Sequence, residues 1–383
     1  MTLSTDFIPT PIQREKALNT WLQQCFTDSD IYLDSLPGDA SFRRYHRLKV
    51  VANQGQSNSQ FMPAEQHYIV MDAPPELESI KEFVAVDELL APVVNVPDII
   101  AKEMDQGFLV LQDFGTTEFA HLVADAAPSI VTQYYQQAID TLIELQSLDV
   151  ETAKHQASLP DYDAALLHRE MDLFSEWFLA YVGIALSEQP ESNGFTHEDW
   201  QAFKEEIVTQ VLSQPQVVVH RDYHSRNLMQ DCNDSQRLGV IDFQDAVIGA
   251  YSYDVVSLLR DAYVSWSETQ IDEWLTYYFN HKSLATQPKN GVANELSFEQ
   301  LLYDVTMMGI QRHLKILGIF VRLSERDGKP RYLADIPKVM QDLIEELEIL
   351  AKLNNRVMTP AITKFKQWVE QAVLPAFNRK FNS

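Results

Sequence analysis

Cysteine is scarce in this chain: among 383 residues there are two, Cys25 and Cys232. That excludes a disulfide scaffold, and neither thiol has the spacing of a metal-binding pair. Long apolar runs are missing as well; none approaches the roughly 18 residues that a spanning helix needs. The opening residues M-T-L-S-T-D-F-I-P-T-P-I lack a basic segment followed by an apolar one, so no secretion signal is expected. Basic residues are few, 30 Lys+Arg against 55 Asp+Glu, for a net charge of −25. Such a chain repels nucleic acid and anionic membrane surfaces as a whole, so any anionic ligand has to be held by a local cluster of positive charge. Internal repeats and low-complexity tracts are also absent. What remains, 45% hydrophobic and 22% charged, is the composition of a soluble globular chain long enough for two lobes. A cytoplasmic protein with no nucleic-acid, membrane or obligate protein partner is expected.

The pattern changes along the chain. Residues 11–27 read as an amphipathic helix, and Ile31–Leu33 and Phe42–Val51 as a hairpin around the turn Pro37-Gly38-Asp39. Residues 53–66 are a polar loop, His67–Met71 a third strand and 77–91 a helix. Gly107–Leu111 is a short buried strand running into Gln112-Asp113-Phe114-Gly115. Beyond it, three- and four-residue apolar spacing predicts helices over 128–147, 163–187, 252–280, 297–325, 335–353 and 360–373. Two short β segments, Val217–Val219 and Leu238–Ile241, interrupt them. The expected organisation is α+β and bilobal, with a small β-rich lobe over 1–111 and a larger, mainly helical lobe over 112–383.

Both internal β segments run into chemistry. Residues 218–229 read V-V-H-R-D-Y-H-S-R-N-L-M and contain H-R-D-x-x-x-x-N; residues 239–246 read G-V-I-D-F-Q-D-A, with Asp242 twenty positions after Asp222. An acid, an amide and a second acid in this order are what phosphoryl transfer requires. The transferred group carries spread negative charge that Mg²⁺ neutralises. Mg²⁺ prefers oxygen ligands, which Asn227 and Asp242 supply. A further carboxylate, Asp222, is then left to orient the acceptor hydroxyl and take its proton. Asp-to-Asn spacing alone would be a weak signal, because both residues also serve turns; the flanking apolar strands make it specific.

These stretches resemble the catalytic and metal-binding segments of kinase-like folds, and in detail they are similar to the aminoglycoside phosphotransferase-type small-molecule kinases. His224 stands two residues after Asp222, and Asp242-Phe243-Gln244 lacks the Gly found after the metal Asp in protein kinases. Asp254 matches an Asp that braces the catalytic loop in these folds and is equally a simple helix N-cap. Asp245 is either an acid behind the metal or an exposed turn residue. The resemblance covers most of the chain. It extends through G-D-A-S-F-R-R-Y (38–45), M-D-A-P-P-E (71–76), 159–178, 309–323 and R-D-G-K-P-R-Y-L (326–333). There the chain looks like the anomeric N-acetylmuramate/N-acetylglucosamine kinases of bacterial cell-wall recycling. The resemblance implies a protein-kinase-like fold and an ATP- and Mg²⁺-dependent transfer to the C1 hydroxyl of an amino sugar.

One departure bears on the phosphates. The strand Tyr68–Asp72 has Met71 or Asp72 where kinases carry a phosphate-binding Lys. The compensating charge is expected from the turn that includes Gly38 and Ser41, through Arg43 or Arg44, which strand alternation points to opposite sides. The alternative is that both are solvated charges of an edge strand. Glu82 or Glu88 is the expected carboxylate partner. Backbone groups at Gln112, Asp113 and Phe114 are expected to read the base. For the acceptor sugar the candidates are Glu170, Trp177, Arg260, Asp261, Gln311 and Arg312. His313 and Lys315 share their helix, and Arg312 suits the carboxylate of N-acetylmuramate. These same polar positions also fit the solvated face of a helix. Another acceptor (an aminoglycoside, choline or another sugar) and a nucleotide-binding protein without turnover are the competing readings.

Overall fold

The computed structural model describes residues 11–37, 42–53, 65–188, 194–282, 296–353 and 358–381. In chain order it runs α1 (Pro11–Cys25), β1 (Ser29–Ser35), β2 (Arg44–Ala52), β3 (Glu65–Asp72), α2 (Lys81–Leu90), β4 (Ile99–Glu103) and β5 (Phe108–Gln112). Helices α3 (Phe119–Ala124), α4 (Pro128–Gln146), α5 (Val150–Ala157), α6 (Ala164–Leu173) and α7 (Leu179–Val182) follow, with a π-turn at Phe174–Phe178 between the last two. Then come α8 (His197–Leu212), β6 (Gln216–Val219), β7 (Leu228–Gln230), β8 (Leu238–Val240) and β9 (Val247–Ala250). The chain closes with α9 (Ser252–Leu259), α10 (Glu268–His281), α11 (Phe298–Glu325), α12 (Ile336–Lys352), α13 (Pro360–Trp368) and α14 (Leu374–Phe381). There are two compact units, 1–117 with 229–244, and 118–228 with 245–383.

The first unit is a five-stranded antiparallel sheet in the order β1-β2-β3-β5-β4. Alternation decides its faces. Leu48, Val50, Val70, Phe108 and Val110 point to one side and are covered by Leu18, Trp21 and Leu22 of α1. Arg14 of the same helix reaches the end of β3, where its Nε donates to Asp72 Oδ1 at 2.6 Å. The acid that stands near the missing Lys is thereby neutralised from within the unit. The first unit does not end at the expected boundary after residue 111. It continues through 117 and takes in 229–244, because the carbonyls of Phe114 and Thr117 accept the N–H groups of Cys232 and Gln230 at 3.0 and 2.9 Å. Phe114 is buried against Gly239 of β8, where a Cβ would come within 2.8 Å of its ring. Strand β4 was not among the expected elements. Its five residues, I-I-A-K-E, are too short for alternation to stand out from the preceding V-V-N-V-P-D.

The second unit is organised on α11, 28 residues long and capped by Ser297, whose side chain accepts from Gln300 N. It packs against α6, α9 and α12. Gly318 permits a close approach to α6: a Cβ there would come within 2.3 Å of the Leu173 carbonyl and 2.6 Å of the Leu173 Cβ. Two expectations change. The single helix expected over 252–280 is two, α9 and α10. The chain leaves the helix at Arg260, and the Asp261 carboxylate instead accepts Tyr263 N at 2.9 Å and Ser225 N at 2.8 Å. Helix α8 was not expected, although Thr196 and Asp199 form a capping box at its start. Among the described residues no helix is long and apolar enough to cross a membrane.

Replacing Gly318 with Ala forces α11 off α6, and overpacking of this kind costs about 1–3 kcal/mol. The G318A protein should melt several degrees below the unsubstituted one in a thermal denaturation scan.

Candidate active site

Strand β6 delivers the chain to His220-Arg221-Asp222. Arg221 is left-handed there, with φ 75°, a conformation that costs a non-glycine residue about 1–2 kcal/mol. The surroundings hold it. Asp254, fully buried on α9, accepts the backbone N–H of His220 at 2.7 Å and of Arg221 at 3.1 Å. The Arg221 guanidinium donates to Glu170 Oε1 at 2.9 Å. Beyond Asp222 the loop closes on itself: the Asp222 carbonyl accepts His224 N and Asn227 Nδ2, both at 3.0 Å. Asp261 anchors the turn through Ser225 N. The backbone that carries Asp222 is therefore held on both sides.

Around it stands a charged cluster drawn from three helices. Glu170 of α6 receives Arg221, Lys315 Nζ at 3.0 Å and the Tyr162 hydroxyl. Gln311 Nε2 lies 3.3 Å from the same carboxylate. Lys315 also donates to the Tyr253 hydroxyl at 3.0 Å. Arg312 Nη2 donates to Ser257 Oγ at 2.7 Å. Gln311 and Lys315 are one turn apart on α11, so a single face of that helix meets α6 and α9. Burial pushes the Asp222 carboxyl up, but Lys315, His224, His220 and Arg312 outweigh it and hold the group below the usual carboxylate value. Glu170 is likewise lowered: burial opposes its charge, and Lys315, Tyr162 and Arg221 favour it. Asp254 behaves oppositely. Burial raises it to about 7 despite the two N–H groups it accepts.

Of the acceptor-site candidates, Glu170, Gln311 and Arg312 gather in this cluster, and Arg260, Asp261 and Trp177 do not. Arg260 is taken up by Glu268 at 2.7 Å, Glu345 at 3.2 Å and Asp342 at 3.7 Å. Asp261 serves the loop backbone, and Trp177 is half-buried in the π-turn. Lys315 is the strongest positive neighbour of Asp222. Tyr162 and Tyr253, which frame Glu170 and Lys315, had no sequence signal, because lone tyrosines in helical stretches read as core.

In the first unit Asp242 also has a left-handed backbone, with φ 67°. Gln244 Nε2 donates to its Oδ1 at 2.8 Å, and Phe243 is buried on Phe83 of α2 with ring centroids 4.8 Å apart. Asp245 is exposed. Arg43 pairs with Glu78 at 3.1 Å. This corrects the expected partner: Glu82 lies in the first turn of α2, Glu88 pairs with Lys102, and the acid that reaches Arg43 precedes the helix. Arg44 is exposed, whereas Arg43 is half-buried. Gly38 and Ser41 lie outside the described residues. Asp113 is held as a fork by Arg47, at 2.7 and 3.1 Å, and Gln112 contacts Asp231 at 3.5 Å. A cavity of about 730 Å³ opens here, lined by Arg47, Tyr68, Gln112, Asp113, Gly115 and Cys232. Arg47 was missed, although it shares a strand face with Tyr45 and that alternation was legible.

The residues fit the chemistry of a hard cation. Asn227 spends its amide nitrogen on the Asp222 carbonyl, so its carbonyl oxygen is the atom of the type Mg²⁺ takes, and Asp242 offers carboxylate oxygens. Among the described residues no three His, Cys, Asp or Glu side chains gather as a metal cage. Mg²⁺ does not need one, since it is usually bound by one or two carboxylates together with substrate phosphates.

Comparison with known proteins identifies the family. Residues 35–286 match the family model described as phosphotransferase enzyme family. The N-acetylmuramate/N-acetylglucosamine kinase of Pseudomonas putida is 38% identical over 340 residues, 85% of this chain and 89% of the relative. The protein of the same name from Neisseria meningitidis is 35% identical over 87% and 90%. Among solved structures, an ADP-bound aminoglycoside phosphotransferase, APH(2'')-Ib, has a TM-score of 0.52 at 14% identity, covering 88% of this chain and 99% of that one. A Plasmodium vivax ethanolamine kinase has a TM-score of 0.56 at 10% identity, covering 89% and 91%. At these identities the structures show a shared kinase-like fold.

Because Asp254 is raised to about 7 in the folded chain, the folded state holds a proton that the unfolded state gives up near the ordinary Asp value. Its contribution to stability is therefore lost as pH rises from about 4 to about 7. In D254N the denaturation midpoint should fall less steeply across that window; an unchanged slope would mean that Asp254 does not titrate there.

Proposed function

This chain belongs to the phosphotransferase enzyme family, and we propose that within it the protein is an ATP-dependent kinase for the C1 hydroxyl of N-acetylmuramate and N-acetylglucosamine. The observation that carries the reading is the loop bearing Asp222, held by Asp254 and Asn227 beside a cluster of polar groups suited to a sugar. The amino-sugar acceptor follows from relatives that match along most of the chain. Nucleotide use follows from the family and its ADP-bound structural neighbour.

The reaction moves the terminal phosphoryl group of ATP onto the C1 oxygen, giving the sugar 1-phosphate and ADP, and Asp222 takes the proton released from the hydroxyl. A lowered carboxylate is a weak base, so its work is chiefly to aim the hydroxyl and to receive the proton late in transfer. Glu170, Tyr162 and Gln311 offer donors and acceptors to the ring hydroxyls. Arg43, steadied by Glu78, supplies the positive charge for the nucleotide phosphates that the missing Lys would have given. The cavity at Gln112 and Asp113 takes the base. Asn227 and Asp242 would hold Mg²⁺, which when bound neutralises charge on the transferring phosphates. The ATP requirement suits a cytoplasmic setting.

Incubation with ATP, Mg²⁺ and N-acetylmuramate should give phosphate on C1 by phosphorus NMR, and D222N should reduce turnover by about 10²–10⁴-fold. Near-normal turnover in D222N would remove Asp222 from the mechanism. Phosphorylation of aminoglycosides with no turnover of amino sugars would overturn the acceptor assignment.

A further inference from the structure

Asp261 is bonded at both its ends. Its carboxylate accepts Ser225 N, three residues past Asp222, at 2.8 Å, and Tyr263 N at 2.9 Å. Its main-chain carbonyl accepts Lys338 Nζ of α12 at 2.6 Å. Asp261 and Ser225 are both 1% exposed. The Ser225 hydroxyl is buried without a partner, so main-chain bonds hold that residue: its N–H to Asp261, and its carbonyl to Ala120 N at 3.0 Å. Where the Asp261 carboxylate points depends on where its own main chain lies, and α9 has already ended at Leu259. Carbonyls at a helix end lack partners within the helix, and here a Lys from another element meets one of them.

Lys338 stands where its own helix does not favour it. It lies in the first turn of α12, at the positive end of the helix dipole, where a cation is disfavoured. Its ammonium is aimed from one turn further on: Nζ also donates to Asp342 Oδ2 at 2.6 Å. The buried Asp342 carboxylate is itself flanked by Arg260 Nη1 at 3.7 Å and His313 Nε2 at 3.6 Å. A residue that goes against its helix and is directed by a buried acid onto a main-chain carbonyl has its reason outside that helix. Resting on the reading of Asp222 as the carboxylate that orients the acceptor, we infer that Lys338 is a positioning residue for the transfer. Through the carbonyl of Asp261 it keeps the Asp261 carboxylate on Ser225 N, and so sets the place of the loop bearing Asp222. It acts through Asp261 and not on a reacting atom. A misplacement of about 1 Å that starts far from the chemistry costs on the order of 100-fold in rate. A loosened loop aims the hydroxyl poorly and leaves the nucleotide contacts, made by other residues, as they were.

K338M removes the donor and keeps most of the bulk. With ATP and N-acetylmuramate it should lower kcat roughly 10- to 100-fold while the KM for ATP stays within about twofold. Hydrogen exchange read by NMR reports the link itself. The Ser225 amide should exchange faster in K338M, on the order of tenfold, whereas the His220 and Arg221 amides, held by Asp254, should keep their rates. A fall in overall stability would speed all three alike, so the comparison separates a local clamp from general loosening. If K338M does not fold, D342N, which removes the group that aims Lys338, should give a smaller change of the same pattern. The inference is overturned if kcat or Ser225 exchange is unchanged, or if the three amides speed up together. If the unsubstituted enzyme turns over neither amino sugar, the functional reading fails, and the exchange rates still decide whether Lys338 holds the loop.

Discussion

The pairing of the buried Asp254 carboxyl with the backbone N–H groups of His220 and Arg221 supports the rest of the loop around Asp222. Arg221 is held in a left-handed conformation that it would not adopt alone. That turn of the backbone separates the Arg221 side chain, which goes to Glu170, from Asp222, which is fixed from its other side by Asn227 and His224. Strain of this order persists only where neighbours over-determine it. Asp254 within α9, Asp261 just after it and Glu170 of α6 do so here.

The same anchors explain how a strongly acidic protein keeps a place for anions. The net charge is −25, but α11 threads Arg312 and Lys315 between α6 and α9 and concentrates positive charge beside one carboxylate, Asp222. In that poorly hydrated setting fewer charges act more strongly than they would in water. A second buried ionic group, in which Arg260 meets Glu268, Glu345 and Asp342, ties α9 to α10 and α12. It keeps those helices in place, and nothing in the local sequence of Arg260 tells such a pairing from a place in the Asp222 cluster.

Legibility in the sequence followed distance along the chain. The loop from His220 to Asn227 and the strand ending at Asp242 could be read because each is contiguous and flanked by apolar β segments. The hairpin of β1 and β2, the strand β3 and the long helix α11 could be read because their periods run for enough residues. Strand β4 and helix α8 were not, the one for its shortness and the other because its apolar positions are interrupted by Glu198, Glu205 and Glu206. The partner of Arg43 could not be placed within four residues, since where α2 begins depends on packing.

The amino-acid sequence by itself determined the reaction class, the acid and amide to propose for it, and the α+β division of the chain, because those depend on residue types at short, regular spacings. Tertiary structure alone decided which polar residues surround Asp222. Glu170 and Lys315 are 145 positions apart and Arg221 lies between them, so no local pattern records that they share one salt-bridge cluster.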